Sequence, residues 1–163
     1  MTEEAVDIQV PEAHFTLFDT ERGGMPAVVV VNDALLAFQH TELFAWHLHV
    51  RLEAEETAQN GMPSAAESKR LMEIGDAIEA SVLNGRTQFG ATNSLFLASN
   101  TSNKARELLF QVHDPKIADA ALRQLLESRS WRRQWEYRMH ADPQWKEAAH
   151  FFALFSSARG TNA

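Results

Sequence analysis

The sequence predicts one α+β domain built on an antiparallel sheet, and three observations carry that expectation. Residues 43–53 alternate strictly: Phe44, Trp46, Leu48, Val50 and Leu52 share one face, and Ala45, His47, His49, Arg51 and Glu53 share the other. Residues 64–83 open on Ser64-Ala-Ala-Glu67, a capping box, and carry Leu71, Ile74, Ile78 and Val82 at helical spacing. From residue 43 to 140 the elements follow the order strand, helix, strand, strand, helix, strand.

Each element has its own signal. Residues 14–19 read as a short strand, and Arg22-Gly23-Gly24 as a turn. Residues 27–31 (AVVVV) form a continuous β-branched run, expected to be covered on both faces. Asn84-Gly85 stops the first helix. Residues 93–99 and 107–113 read as a hairpin around the polar turn 100–103 (NTSN), with Leu108, Phe110 and Val112 on one face. Asp114-Pro115 starts the second helix, aspartate as N-cap and proline at the first position, with Ile117, Ala121, Leu122 and Leu125 as its apolar stripe. Residues 131–140 alternate again, with Trp131, Arg133, Trp135, Tyr137 and Met139 opposite Arg132, Gln134, Glu136, Arg138 and His140. Asp142-Pro143 repeats the helix start, and the last helix carries Trp145, Phe151, Phe152 and Phe155.

This order is the ferredoxin-like βαββαβ unit: two helices on one face of a four-stranded antiparallel sheet. The N-terminal strand pair and the C-terminal helix are additions that extend or cap it. The expected domain spans residues 13–157, with residues 1–12 and 158–163 frayed. Its oily side lies under the helices and its opposite side is open to contacts.

The 163 residues suffice for a core without staples, and the absence of cysteine excludes disulfides and thiolate metal sites. No apolar run is long enough to span a membrane and the acidic N-terminus has no secretory h-region, so a cytoplasmic protein is expected. The net charge is −7, distributed as −10 over residues 1–100 and +3 over residues 101–163. Such a field repels phosphate, and the open faces of the strands at 43–53 and 131–140 lack stacking aromatics, so a nucleic-acid partner is not expected. The local cluster Arg129, Arg132, Arg133 and Arg138 reads as the solvated charge of an edge strand.

Three stretches together carry a family resemblance. The first is Gly61-Met-Pro-Ser64 leading through Glu67, Leu71 and Ile74 into Asp76-Ala-Ile-Glu79. The second is Asn100-Thr101, Arg106-Glu107, Phe110 and Asp114-Pro115. The third is Trp135-Glu-Tyr137 followed by Asp142-Pro143-Gln-Trp145. Over residues 40–155 the chain resembles the domain of unknown function 695 family. The resemblance implies a bacterial cytoplasmic domain with no known catalytic residues. Related chains sometimes carry a domain similar to the regulator of ribonuclease activity B, which implies regulation through protein contact.

The polar side of the sheet holds the candidate chemistry. His47 and His49 share a face, and His113 or His140 on neighbouring strands could join them as metal ligands. With Arg51, Glu107, Glu136 and Arg138 the same face offers an imidazole beside a carboxylate, as a general base needs, and guanidinium groups for an anion. Nucleophile elbows, phosphate loops and zinc-protease motifs are absent. The leading expectation is therefore a non-catalytic, cofactor-free module for binding a protein partner or a second copy of itself. The alternative is a small histidine-based metal protein or hydrolase.

Overall fold

The computed structural model describes residues 9–157 and 161–162. Its strands are β1 (Phe15–Arg22), β2 (Met25–Asn32), β3 (Trp46–Glu53), β4 (Ser94–Ser102), β5 (Ala105–Val112), β6 (Trp135–Ala141) and β7 (Thr161–Asn162). Its helices are α1 (Ala65–Leu83), α2 (Pro115–Glu127), α3 (Lys146–Phe152) and α4 (Leu154–Ser157). Short 3-10 turns at Asp33–Leu35 and Thr41–Leu43 link β2 to β3. No helix among the described residues is long and apolar enough to cross a membrane.

The sheet that forms is wider than the four-stranded ferredoxin-like unit expected from the sequence. Seven strands join in one antiparallel sheet in the order β6-β3-β5-β4-β2-β1-β7. The strand of residues 93–99 extends to Ser102 and pairs with β2 on its far side, Val29 opposite Asn100 and Val31 opposite Ala98. That pairing satisfies backbone groups an edge strand would leave to solvent, and it makes β4 an interior strand. The N-terminal hairpin turns on Gly23 and Gly24, both at positive φ, as a two-residue turn between right-twisted strands requires. The second hairpin turns on Asn103 and Lys104, also at positive φ, rather than on the four residues 100–103.

Two cores form, one on each side of the sheet. Beneath α1 and α2 lie Leu48, Val50 and Leu52 of β3, Phe96 of β4, Leu108, Phe110 and Val112 of β5 and Trp135 of β6. The expectation of an open opposite side is corrected: there Phe18, Val29, Val31, Leu95, Leu97 and Leu109 pack against Trp145, Ala148 and Phe151. The aromatic C-terminal segment covers what a one-sided sheet would expose. The AVVVV run is buried on that side only, at Ala27, Val29 and Val31, while Val28 and Val30 are half-buried.

Element boundaries show what local pattern leaves out. Ser64 caps α1 as expected, its hydroxyl accepting from Glu67 N–H at 3.2 Å. The other half of the capping box is absent, because the Ser64 N–H donates to the Glu56 carbonyl and the Glu67 carboxylate turns elsewhere. Asp114 caps α2 through Lys116 N–H. Asp142 caps α3, accepting from Lys146 and Glu147 N–H, but the helix starts three residues later than Pro143 predicts. The intervening Trp145 sits at φ 55°, with its indole N–H donated to the Phe44 and Thr41 carbonyls. The segment before β6 bends instead of starting a strand at Trp131. Arg133 turns inward there, and the Arg129 guanidinium lies 4.1 Å above the Trp131 ring. Of the termini expected to fray, residues 1–8, 158–160 and 163 lie outside the described residues. Val10 packs on the second core and β7 pairs with Leu17 and Thr16 of β1.

Candidate functional site

β3 lies between β5 and β6, and its register decides which polar groups meet. His47 stands opposite Gln111 and His140, His49 opposite Leu109 and Arg138, and Arg51 opposite Glu107 and Glu136. Seven of the eight sequence-predicted residues therefore share one three-strand patch. His113 lies just beyond β5; its Nδ1 donates to the Leu43 carbonyl at 2.6 Å and its ring meets Phe44 edge-on.

The two central histidines have different surroundings. His47 is 1% exposed. Its Nδ1 lies 2.6 Å from Gln111 Oε1, while Gln111 Nε2 donates to the Phe44 carbonyl. That arrangement aims the amide oxygen at His47, so Nδ1 carries the proton. Nε2 has no hydrogen-bond partner among the described residues, and the His140 ring lies 5.4 Å away between centroids. Burial pushes the His47 pKa below the ordinary imidazole value. His49 is held by Glu107 at 2.5 Å, and Asn100 Nδ2 donates to the other Glu107 oxygen at 2.7 Å. The hydrogen bond from His49, reinforced by Asn100, outweighs burial and brings Glu107 to about 2.

These partners engage His47 Nδ1 and His49 Nε2. Among the described residues no group of three His, Asp or Glu side chains could hold a metal. His140 instead approaches Glu147 at 3.5 Å. The other charges are less engaged. Arg51 forms no ion pair with the glutamates opposite it, and its Nη1 is buried without a partner among the described residues. Glu136 and Arg138 are exposed, and neither makes a hydrogen bond or ion pair within the described residues. A cleft of about 380 Å³ opens at the foot of β3 and β6, lined by Arg51, Glu53, Trp131, Arg133, Trp135 and Glu136.

The comparison with known families bears on this whole arrangement. Residues 15–152 match the family described as "Family of unknown function (DUF695)", which takes in every strand from β1 to β6. The chain belongs to the DUF695 family. No curated protein and no solved structure matches it.

In this DUF695 chain the most deeply set ion pair escaped sequence reasoning. Glu67 is fully buried and accepts from Arg133 Nε at 2.7 Å and Nη2 at 2.6 Å. It also accepts from Glu55 N–H at 2.7 Å. The hydrogen bonds from Arg133 lower its pKa to about 2 against the opposing effect of burial. Arg133 is thus corrected from a solvated cluster member to a buried anchor, 7% exposed. The available signal was a conflict of period: Arg133 falls on the apolar face of an alternating stretch. Asn100 falls in the expected turn 100–103 and Gln111 on the face opposite Leu108, Phe110 and Val112, and neither position carries a signal of its own.

Proposed function

We propose that this DUF695 chain is a non-catalytic, cytoplasmic protein-binding module that takes up an extended segment along β6. One observation carries the reading: among the described residues β6 is an edge strand whose outer backbone rim has no partner. Asp142 N–H donates to the Ala45 carbonyl and Glu53 N–H to the Gln134 carbonyl. Antiparallel alternation then commits the backbone of Glu136, Arg138 and His140 to β3, and leaves that of Trp135, Tyr137, Met139 and Ala141 facing outward. An added strand is satisfied by such a rim, and side chains on both faces supply selectivity. The connectivity β3-α1-β4-β5-α2-β6 supports a ferredoxin-like reading of that stretch, with the N-terminal hairpin as its extension. The net charge of −7 favours a protein over a nucleic acid as partner.

Random-peptide libraries panned against the full chain test this. Selected binders are expected to shift the backbone amide resonances of Trp135, Tyr137 and Met139 first. Shifts centred elsewhere, or no binders to the chain at a dilution where it is monomeric, would overturn it.

The His49–Glu107 pair supports a second reading, in which His49 is a general base beside Arg51. Hydrolysis of small phosphate or carboxylate esters by the wild type that is abolished in His49→Gln would favour this reading; no turnover would dismiss it.

A further inference from the structure

We infer that the segment taken up by β6 is the β6 of a second copy of this chain, with Tyr137 on the twofold axis. The inference rests on the reading of β6 as the docking edge and names its occupant.

Outward-facing backbone groups must pair with outward-facing ones. An antiparallel partner can therefore place Trp135, Tyr137, Met139 or Ala141 only opposite one of the same set. Symmetric registers can be centred on Glu136, Tyr137, Arg138 or Met139. The Glu136 centre opposes two glutamates, and the Arg138 centre opposes two arginines. The Met139 centre sets Glu136 against Asp142 and Arg138 against His140. Only the Tyr137 centre places Glu136 opposite the partner's Arg138 on both sides of the axis. In that register these two form the non-hydrogen-bonded pair, the closer of the two pair types. Gln134 falls opposite the partner's His140, and Trp135 opposite the partner's Met139.

Three observations favour this occupant over an unrelated segment. Glu136 and Arg138 are exposed and have no ion-pair partner within the described residues, so both charges are available. The odd-numbered residues of both copies lie on the same side of the joined sheet, so Trp135 and Met139 meet on the side that carries α1 and α2. Tyr137 is already fixed by its hydroxyl donating to Asp119 of α2 at 2.7 Å, which holds the axial side chain in place. The dimer continues the sheet across β6 and covers its long exposed edge.

Sedimentation equilibrium with charge swaps tests the register. The wild type is expected to be a reversible dimer. Glu136→Arg or Arg138→Glu alone replaces both opposite-charge pairs by like-charge pairs and should weaken dimerisation about tenfold or more. The double swap restores opposite charges and should restore the dimer. If single swaps fail to fold by circular dichroism, wild-type amide exchange gives the readout: Tyr137 and Met139 should be protected at high concentration and exposed on dilution. A monomer throughout, a dimer indifferent to the swaps, or amides unprotected at every concentration would overturn the second copy as occupant. Peptides that still shift Tyr137 and Met139 in such a monomer would leave the docking edge standing; their absence would remove both.

Discussion

Glu67 shows how a single carboxylate can link three separate segments. It is reached by Arg133 from beyond α2 and by the Glu55 N–H from the loop after β3, while lying in the first turn of α1. Its pKa of about 2 in the fold lies below the 4.5 of an unperturbed glutamate. The unfolded chain therefore binds the proton more readily. The stabilisation is fully present above pH 4.5 and is lost as the pH falls from there to about 2. Glu107 titrates across the same window. Urea denaturation should show Glu67→Gln losing about 3–5 kcal/mol at neutral pH, because Arg133 is left without its bidentate partner. The acid limb of stability against pH should flatten in Glu67→Gln and flatten further with Glu107→Gln; an unchanged limb would refute the assignment. At this scale the sequence was legible where pattern is local. Alternation put His47 and His49 on one face, and the Ser64 cap was visible. What Gln111 and Asn100 do was not legible, because cross-strand register brings them in from far along the chain.

At the scale of elements, α3 is the clearest case of non-local control. Asp142-Pro143 has the signature of a helix start, yet Trp145 interrupts it in the left-handed region. The indole N–H, donated to the Phe44 and Thr41 carbonyls, ties the start of α3 to the entry of β3. Asp142 still caps the helix across this detour. Asp142→Ala should lower stability by about 1 kcal/mol, measured from the urea midpoint. A loss within error of zero would show that the tryptophan alone positions the helix. α1 and α2 were legible because caps and apolar stripe agree within each segment. The late start of α3 was not, since its cause lies about a hundred residues earlier. The strand expected from Trp131 likewise starts at Trp135, because Arg133 is drawn inward to Glu67.

At the scale of the whole molecule, one sheet separates two cores, so damage on either side reaches the same strands. Leu122 of α2 is fully buried on one side and Phe151 of α3 is 4% exposed on the other. Leu122→Ala is expected to cost about 2–5 kcal/mol and Phe151→Ala about 3–5 kcal/mol. In both variants circular dichroism and tryptophan fluorescence should report one coincident transition, as a single cooperative unit requires. Separate transitions in Phe151→Ala would mean that the second core melts on its own. The α+β class, the hairpins and the two helices were legible in periodicity. The second core was not, because His47, Gln111 and Asn100 mark that face as polar while the structure buries all three. Polarity predicts exposure only when no other segment brings partners for it.

The pairing of the two cores with chain order has a consequence for synthesis. The first core contains no residue C-terminal to Met139, so all of it has been translated once β6 is made. The second draws on residues from Val10 to Phe155. A nascent polypeptide on the ribosome can therefore bury one side of its sheet once β6 is made, and must carry the other, greasy and unshielded, until Phe155 has followed.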